Sequence, residues 1–158
     1  ADTPFRLYKQ HDHEGGTRSP LIISWPDGLD PSHTGGLNRE VCHVIDLMPT
    51  LLEAVGVSAI IQEPLPLEGR SFLPILTGEQ KSLPKNRALF WAHNKGKAVR
   101  FGDWKLVSKS RINWELYNLA NDPTELENLA DSMPEKVKEL SHKHSEWFER
   151  TNLSGKRM

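Results

Sequence analysis

Apolar and polar residues alternate most regularly in the second half of the chain. From Arg87 onward, four short apolar runs (ALFWAH, KAVRF, DWKLVSK and WELYNL) are separated by the turn-like sequences NKG, FGD and KSRIN. Short runs joined by glycine-containing turns are typical of antiparallel hairpins. The pattern therefore predicts a four-stranded antiparallel sheet, with Trp91, Trp104 and Trp114 sharing its covered face.

The C-terminal helix is the most clearly marked element. Ser132 and Glu135 have the spacing of a capping box, and the helix is expected to end near Arg150. Its narrow apolar stripe consists of Val137, Leu140, His144, Trp147 and Phe148. A sheet that exposes tryptophans would aggregate, so we expect this amphipathic helix to cover it.

The first half has a different texture. The run LIISW at 21–25 is continuous and apolar, which is typical of a strand buried on both faces of a parallel sheet in an α/β protein. A short helix is predicted over 47–55 after Asp46, and one helical turn over 71–77.

Nothing within 1–86 supplies strand neighbours for 21–25. We therefore interpret 1–80 as the incomplete end of a larger α/β domain and 81–158 as a small antiparallel subdomain. The predicted fold class is thus an α+β fragment of a larger α/β fold. Without its partners, 21–25 is expected to be disordered, swapped between chains or paired at an exposed edge.

Composition narrows the possible partners. The formal net charge is −1, which gives no field that favours nucleic acid, and no apolar run approaches the roughly 18 residues of a transmembrane helix. Cys42 is the only cysteine and cannot form an internal disulfide. Basic residues of the hairpins are expected on the solvated surface: Lys95, Lys97, Arg100, Lys105, Lys109 and Arg111.

The stretch YKQHDHEGGTRSP at 8–20 concentrates polar chemistry. His11 and His13 would lie on one face of an extended chain, with Asp12 and Glu14 on the other. Two ligands are too few for zinc, which takes three or four, so a polar loop is favoured over a metal site.

The glycines of the same stretch admit two interpretations. Gly15 and Gly16, followed by Thr17 and Arg18, could form a phosphate cradle, but the Gly-Lys-Ser/Thr ending is missing. A tight turn that needs glycine at positive φ is favoured. Taken alone, Lys9 is a surface lysine.

Six blocks in fixed order carry a family resemblance. They are K-x-x-x-x-E-G-G-x-R-x-P at 9–20, L-I-x-x-W-P at 21–26, H-V-I-D-L-M-P-T-L-L-E at 43–53, L-E-G-R-S-F-L-P-I-L-T-G at 67–78, A-V-R-F-G-D-W-K-L-V at 98–107 and W-E-L-Y-N-L-A-N-D-P-T-E-L-E-N-L-A at 114–130. Together they cover nearly the whole chain. The chain resembles the C-terminal third of the type I sulfatases, the arylsulfatase family with an alkaline-phosphatase-like core.

This resemblance implies hydrolysis of sulfate esters by a formylglycine nucleophile, made from cysteine in Cys-x-Pro-x-Arg, beside a bound calcium. That motif is absent, since Cys42 precedes His43, Val44 and Ile45. The nucleophile and the calcium ligands are therefore expected outside this chain, and the fragment alone is expected to be inactive and to bind no metal.

Only one active-site residue of the family maps onto the chain with its motif. Lys9, five residues before Glu14, matches the lysine that contacts the substrate sulfate, and Glu14, Gly15, Gly16 and Arg18 would form the turn that fixes it. His93 lies where the family often has a histidine that can border the pocket. The resemblance implies a sulfated small molecule or glycan as substrate and a periplasmic, secreted or lysosomal location.

Two alternatives stay open from the sequence. Phosphonate monoester hydrolases and related phosphodiesterases share this fold and similar C-terminal blocks. A non-catalytic module is a different class, in which the sheet and its helix bind a glycan or another partner.

Overall fold

The computed structural model describes residues 3–57, 67–93, 95–109 and 113–155, with side chains up to 151. Two compact units are present: residues 22–84 form one, and residues 1–21 together with 85–158 form the other. The interpretation from the sequence assigned residues 1–21 to the N-terminal part, 1–80. In the structure they pack with 85–158 instead, because the sheet has a second face for them to cover.

The C-terminal part of the chain, from residue 85 onward and called the tail below, contains the predicted sheet. Its strands are β1 (Ala88–His93), β2 (Gly96–Phe101), β3 (Trp104–Ser108) and β4 (Glu115–Asn118). They are ordered β1-β2-β3-β4, and each neighbouring pair is antiparallel. The prediction of a four-stranded antiparallel sheet is confirmed.

Both faces of this sheet are buried. Val99, Leu106 and Leu116 line one face, whereas Ala98, Val107, Tyr117 and Leu119 belong to a second cluster. Opposite faces follow from the alternation of side chains along a strand. The prediction that three tryptophans share one face is wrong, since the residues divide between the clusters: Trp104 and Trp114 in the first, Trp91 in the second.

The C-terminal helix covers the first face, as predicted. This helix, Pro134–Gly155, extends beyond the expected end at Arg150, and Leu140 is fully buried against the strands. The Ser132 hydroxyl donates to the Leu129 carbonyl at 3.1 Å, so it is turned away from the predicted capping box. Proline at the first helical position needs no N–H partner, which suits a start at Pro134.

The unit formed by 22–84 contains the two predicted helical segments, Leu47–Ala54 and Leu73–Leu76. The Asp46 carboxylate accepts the backbone N–H groups of His43 and Arg70, at 2.8 and 2.9 Å. The Thr50 hydroxyl accepts the N–H of Phe72 at 3.0 Å. Polar contacts to Asp46 and Thr50 therefore tie the two helical segments together.

The predicted strand at 21–25 is not formed. These residues have no regular secondary structure, and Ile22 is 91% exposed. A buried strand needs neighbours on both sides, and the four strands described all belong to the tail sheet. None of the described helices has the length and apolarity needed to cross a membrane.

Candidate functional site

Lys9 lies on an exposed bend between two unusual backbone positions. Leu7 and Gln10 both have positive φ, 62° and 80°, although neither is glycine. Such a conformation costs roughly 1–3 kcal/mol and persists only where the surroundings impose it. One such restraint is local, since the His11 N–H donates to the Tyr8 carbonyl at 3.2 Å.

The glycine pair behind Lys9 has a different form from the one predicted. Residues Glu14–Thr17 make a single helical turn, α1, and neither Gly15 nor Gly16 has positive φ. A Cβ on Gly15 would lie 2.3 Å from the Leu7 carbonyl oxygen, and one on Gly16 would lie 1.9 Å from that of His11. The glycines are therefore needed for close backbone approach, and the prediction of a positive-φ turn is wrong.

Three polar residues of this segment are buried. Asp12, His13 and Glu14 are only 5%, 1% and 3% exposed, so the predicted polar loop is wrong as well. Arg18, in contrast, is exposed, and its guanidinium lies over the Phe5 ring and 3.8 Å from a Glu14 carboxylate oxygen. The segment is folded onto the second face of the sheet because its buried groups find partners there.

Lys105 supplies one of those partners. Its side chain is fully buried, which corrects the expectation of a solvated hairpin lysine. The ammonium lies 2.7 Å from Glu14 Oε1, 3.3 Å from Glu125 Oε1 and 3.2 Å from Thr17 Oγ1. The second Glu125 oxygen accepts the Glu14 N–H at 2.8 Å. This buried charge cluster, Glu14–Lys105–Glu125, joins α1 to strand β3.

Glu115 is the centre of a second network. Its Oε2 accepts hydrogen bonds from His13 Nε2 at 3.1 Å and from the Tyr117 hydroxyl at 2.6 Å, and it forms an ion pair with the Arg6 guanidinium at 2.8 Å. Burial would raise the pKa of Glu115, but the hydrogen bonds from Tyr117 and His13 and the charge of Arg6 hold it below its ordinary value. The Glu115 carboxylate thus holds Arg6 and His13, which flank Lys9 in the sequence.

The pKa shifts of His13 and Tyr117 are consistent with both residues donating hydrogen bonds to the Glu115 carboxylate. Burial lowers the pKa of His13, although its bond to Glu115 opposes the effect, so the neutral imidazole donates from Nε2. Burial also raises the pKa of Tyr117, which keeps the hydroxyl protonated and able to donate. The Arg6 guanidinium donates to the Tyr117 oxygen as well.

Asp12 lies beside the turn between β1 and β2. A Cβ on Gly96 would come within 2.4 Å of Asp12 Oδ2, and His93 pairs with Gly96 across this hairpin. Burial raises the pKa of Asp12, while the charges of Lys105 and His93 oppose that rise. The structure therefore brings exposed His93 into electrostatic range of the segment that carries Lys9, although no described contact joins Lys9 to His93 directly.

The sequence prediction missed the residues that hold this segment: Arg6, Lys105, Glu115, Tyr117 and Glu125. One available signal lay in the strands. Ala98 and Val99, like Leu106 and Val107, are adjacent apolar residues that must face opposite sides of the sheet. Apolar residues on both faces indicate a sheet that is covered on both sides. Lys105, on the same strand as Leu106 and Val107, is buried by that cover as well.

The donor set does not fit a metal centre. Within the described ranges, no three side chains of His, Cys, Asp or Glu come together in a group that could hold an ion. The buried carboxylates of Glu14 and Glu125 are turned onto the Lys105 ammonium.

Comparison with known proteins accounts for the architecture. The family model for the C-terminal part of N-sulphoglucosamine sulphohydrolase matches residues 5–151. A sulfatase of Formosa agariphila is 32% identical over 147 residues, covering 84% of this chain and 26% of the relative. Arylsulfatase K of Xenopus laevis is 30% identical over 158 residues, covering 87% and 27%.

A solved structure agrees. A sulfatase structure from work on glycosaminoglycan metabolism by Bacteroides thetaiotaomicron is 26% identical, with a TM-score of 0.66, and covers 87% of this chain and 30% of that one. The chain spans about a quarter of the length of the curated relatives described above. It belongs to the N-sulphoglucosamine sulphohydrolase C-terminal family and corresponds to the C-terminal portion of a sulfatase.

Proposed function

We propose that this chain forms part of an enzyme that hydrolyses sulfate esters, and that Lys9 contacts the sulfate group. The observation that carries the proposal is the bend at 7–10, where an exposed ammonium stands on a backbone held by the buried charge cluster and by the partly buried Glu115 network. An ammonium gives an anionic oxygen a strong point charge without needing a planar fit. Aimed at the sulfuryl group, it stabilises negative charge on the sulfate oxygens as the nucleophile bonds to sulfur and the S–O bond to the leaving alcohol breaks.

The proposal divides the reaction between this chain and residues outside it. A formylglycine nucleophile and a calcium ion belong to the other part of the enzyme, and the fragment alone is inactive. Support comes from the sequence around Cys42, which lacks the Cys-x-Pro-x-Arg pattern, and from the share of the relatives' length that the chain covers. The contribution of this chain is then to bind and orient the anionic group.

The substrate is proposed to be a sulfated small molecule or glycan. The 26% identical structure comes from work on glycosaminoglycan metabolism, which supports a sulfated saccharide. His93 is exposed at the end of β1, near Asp12, and is proposed to border the substrate pocket. An imidazole there can donate a hydrogen bond to an ester oxygen or to a neighbouring hydroxyl.

The test is Lys9→Ala in the intact enzyme. Loss of one charged contact to the reacting group is expected to lower kcat/KM for an aryl sulfate about 10²–10³-fold. Lys109→Ala, which removes an exposed lysine at the end of β3, is the matched control and should leave kcat/KM unchanged. Normal turnover and affinity after Lys9→Ala would overturn the proposal.

A parallel assay separates the phosphorus-directed alternative. The intact enzyme is given an aryl sulfate and a phosphate diester at equal concentrations. A higher kcat/KM for the sulfate is expected, and a preference for the diester would reassign the reaction. Measurable aryl sulfate turnover by the purified 158-residue chain would show that the division of labour is wrong.

A further inference from the structure

The buried charge cluster, Glu14–Lys105–Glu125, is costly to build. All three side chains are at most 4% exposed, so each charge has lost its hydration. Attraction within such a cluster commonly does no more than offset the desolvation, and apolar replacements of similar volume are often equally stable. Stability alone therefore gives a weak reason for placing an ammonium here.

The contacts of Lys105 indicate instead that it fixes the position of α1 on the sheet. Its hydrogen bonds end on Glu14 and Thr17, the first and last residues of α1, and both partners are fixed by direction as well as distance. Glu125 also holds this turn, since its carboxylate accepts the Glu14 N–H, and its own φ is +59°. Sliding or rotating α1 would break these bonds, whereas an apolar contact would tolerate the shift.

From α1 the restraint reaches Lys9 through the backbone. Gly16 is packed so closely that a Cβ there would lie 1.9 Å from the His11 carbonyl oxygen and 2.9 Å from that of Tyr8. Lys9 and Gln10 lie between those two carbonyls in the sequence. Any movement of α1 on the sheet is thus transmitted to the bend that carries the ammonium.

We infer that Lys105 is a positioning residue for sulfate recognition, which acts by locking α1 on strand β3 so that Lys9 points at the substrate anion. The inference rests on the proposed role of Lys9. In this view, the hydrogen bonds of the buried charge cluster fix the orientation of α1, and the apolar residues around the cluster contribute only packing.

The test uses a variant without the three charges. Lys105→Met alone would leave two carboxylates unpaired, so Glu14→Leu and Glu125→Gln are added, and Gln keeps an acceptor for the residue-14 N–H. The triple variant of the intact enzyme is expected to unfold within a few degrees of the wild type. Its kcat/KM should fall about 10- to 100-fold, the range for a displacement approaching 1 Å. Lys109→Met is the matched control.

A mutant cycle with Lys9→Ala distinguishes the inference from the function on which it rests. If Lys105 acts through Lys9, removing Lys9 costs far less in the triple variant than in the wild type. Factors that multiply independently would overturn the positioning role and leave the role of Lys9 intact. No effect of Lys9→Ala in the wild-type background would overturn both. A triple variant that fails to fold would assign the cluster to stability and also count against the inference.

A second measurement needs only the 158-residue chain. Amide hydrogen exchange at His11, whose N–H donates to Tyr8, should accelerate about tenfold or more in the triple variant. Amides in the centre of β3, such as Leu106, should keep their protection. Unchanged exchange at His11 would contradict the inference.

Discussion

Gly16→Ala gives the most direct test of the backbone geometry behind Lys9. Gly16 lies in a helical turn at negative φ, where alanine normally stabilises a helix by about 0.5–1 kcal/mol. The structure predicts the opposite sign. A Cβ on residue 16 would lie 1.9 Å from the carbonyl oxygen of His11, and real Cβ atoms essentially never come within 3.0 Å of such a neighbour.

The size of the effect follows from that gap. The backbones at 16 and 11 must separate by about 1.1 Å, and the blocking atom belongs to the main chain and cannot rotate away. Overpacking of this kind costs up to about 3 kcal/mol, so the net destabilisation after the gain in helix propensity is about 2 kcal/mol. For a chain of 158 residues this lowers the melting temperature by about 4–8 °C.

The assay is urea and thermal unfolding of the 158-residue chain. Ser145→Ala, at an exposed position of the C-terminal helix, is the control and should be neutral or slightly stabilising. In the intact enzyme, the same Gly16→Ala displacement should lower kcat/KM about 10²-fold. A Gly16→Ala chain as stable as the wild type, or more so, would refute the close approach of α1 to the Lys9 bend.

Two further predictions concern the C-terminal helix. Leu140→Ala removes a fully buried side chain and should destabilise the chain by about 2–5 kcal/mol in urea unfolding, whereas Leu126→Ala, at an 84% exposed position, should cost less than about 0.5 kcal/mol. Burial lowers the pKa of His144 below 6.5, so the unfolded chain takes up a proton that the folded chain does not, and stability should fall as the pH drops below about 6.5. His144→Gln should reduce that slope; an unchanged slope would contradict the assignment.

Much of the fold is encoded locally and could be predicted. The four strands are marked by alternation and glycine turns, and the helix at Leu47–Ala54 by its apolar positions between Asp46 and Gly56. The C-terminal helix follows from its stripe at 137–148. In each case the residues that specify the element lie within a few positions of one another, so single-chain patterns suffice.

The candidate site is different because its partners are distant in the sequence. Lys105 looks like a solvent-facing position when β3 is considered alone, and its burial depends on a segment some ninety residues earlier. For the same reason, the pattern HDHE predicted a polar loop where the fold buries three of its four side chains. The side of the sheet taken by Trp91 depends on the register between strands. Trp91 pairs with Ala98 and Ala98 with Val107, so Trp104, three residues before Val107, must lie on the other face.

This separation has a consequence for biosynthesis. The partners of Arg6, His13 and Glu14 lie between 91 and 119 residues downstream. The bend with Lys9 therefore cannot take its final shape until the last strands have left the ribosome. A frameshift or stop codon within that late stretch would spare every residue proposed to meet the sulfate and still leave Lys9 without support. Loss of the late strands would therefore disturb the structure around Lys9, although Lys9 itself would still be translated.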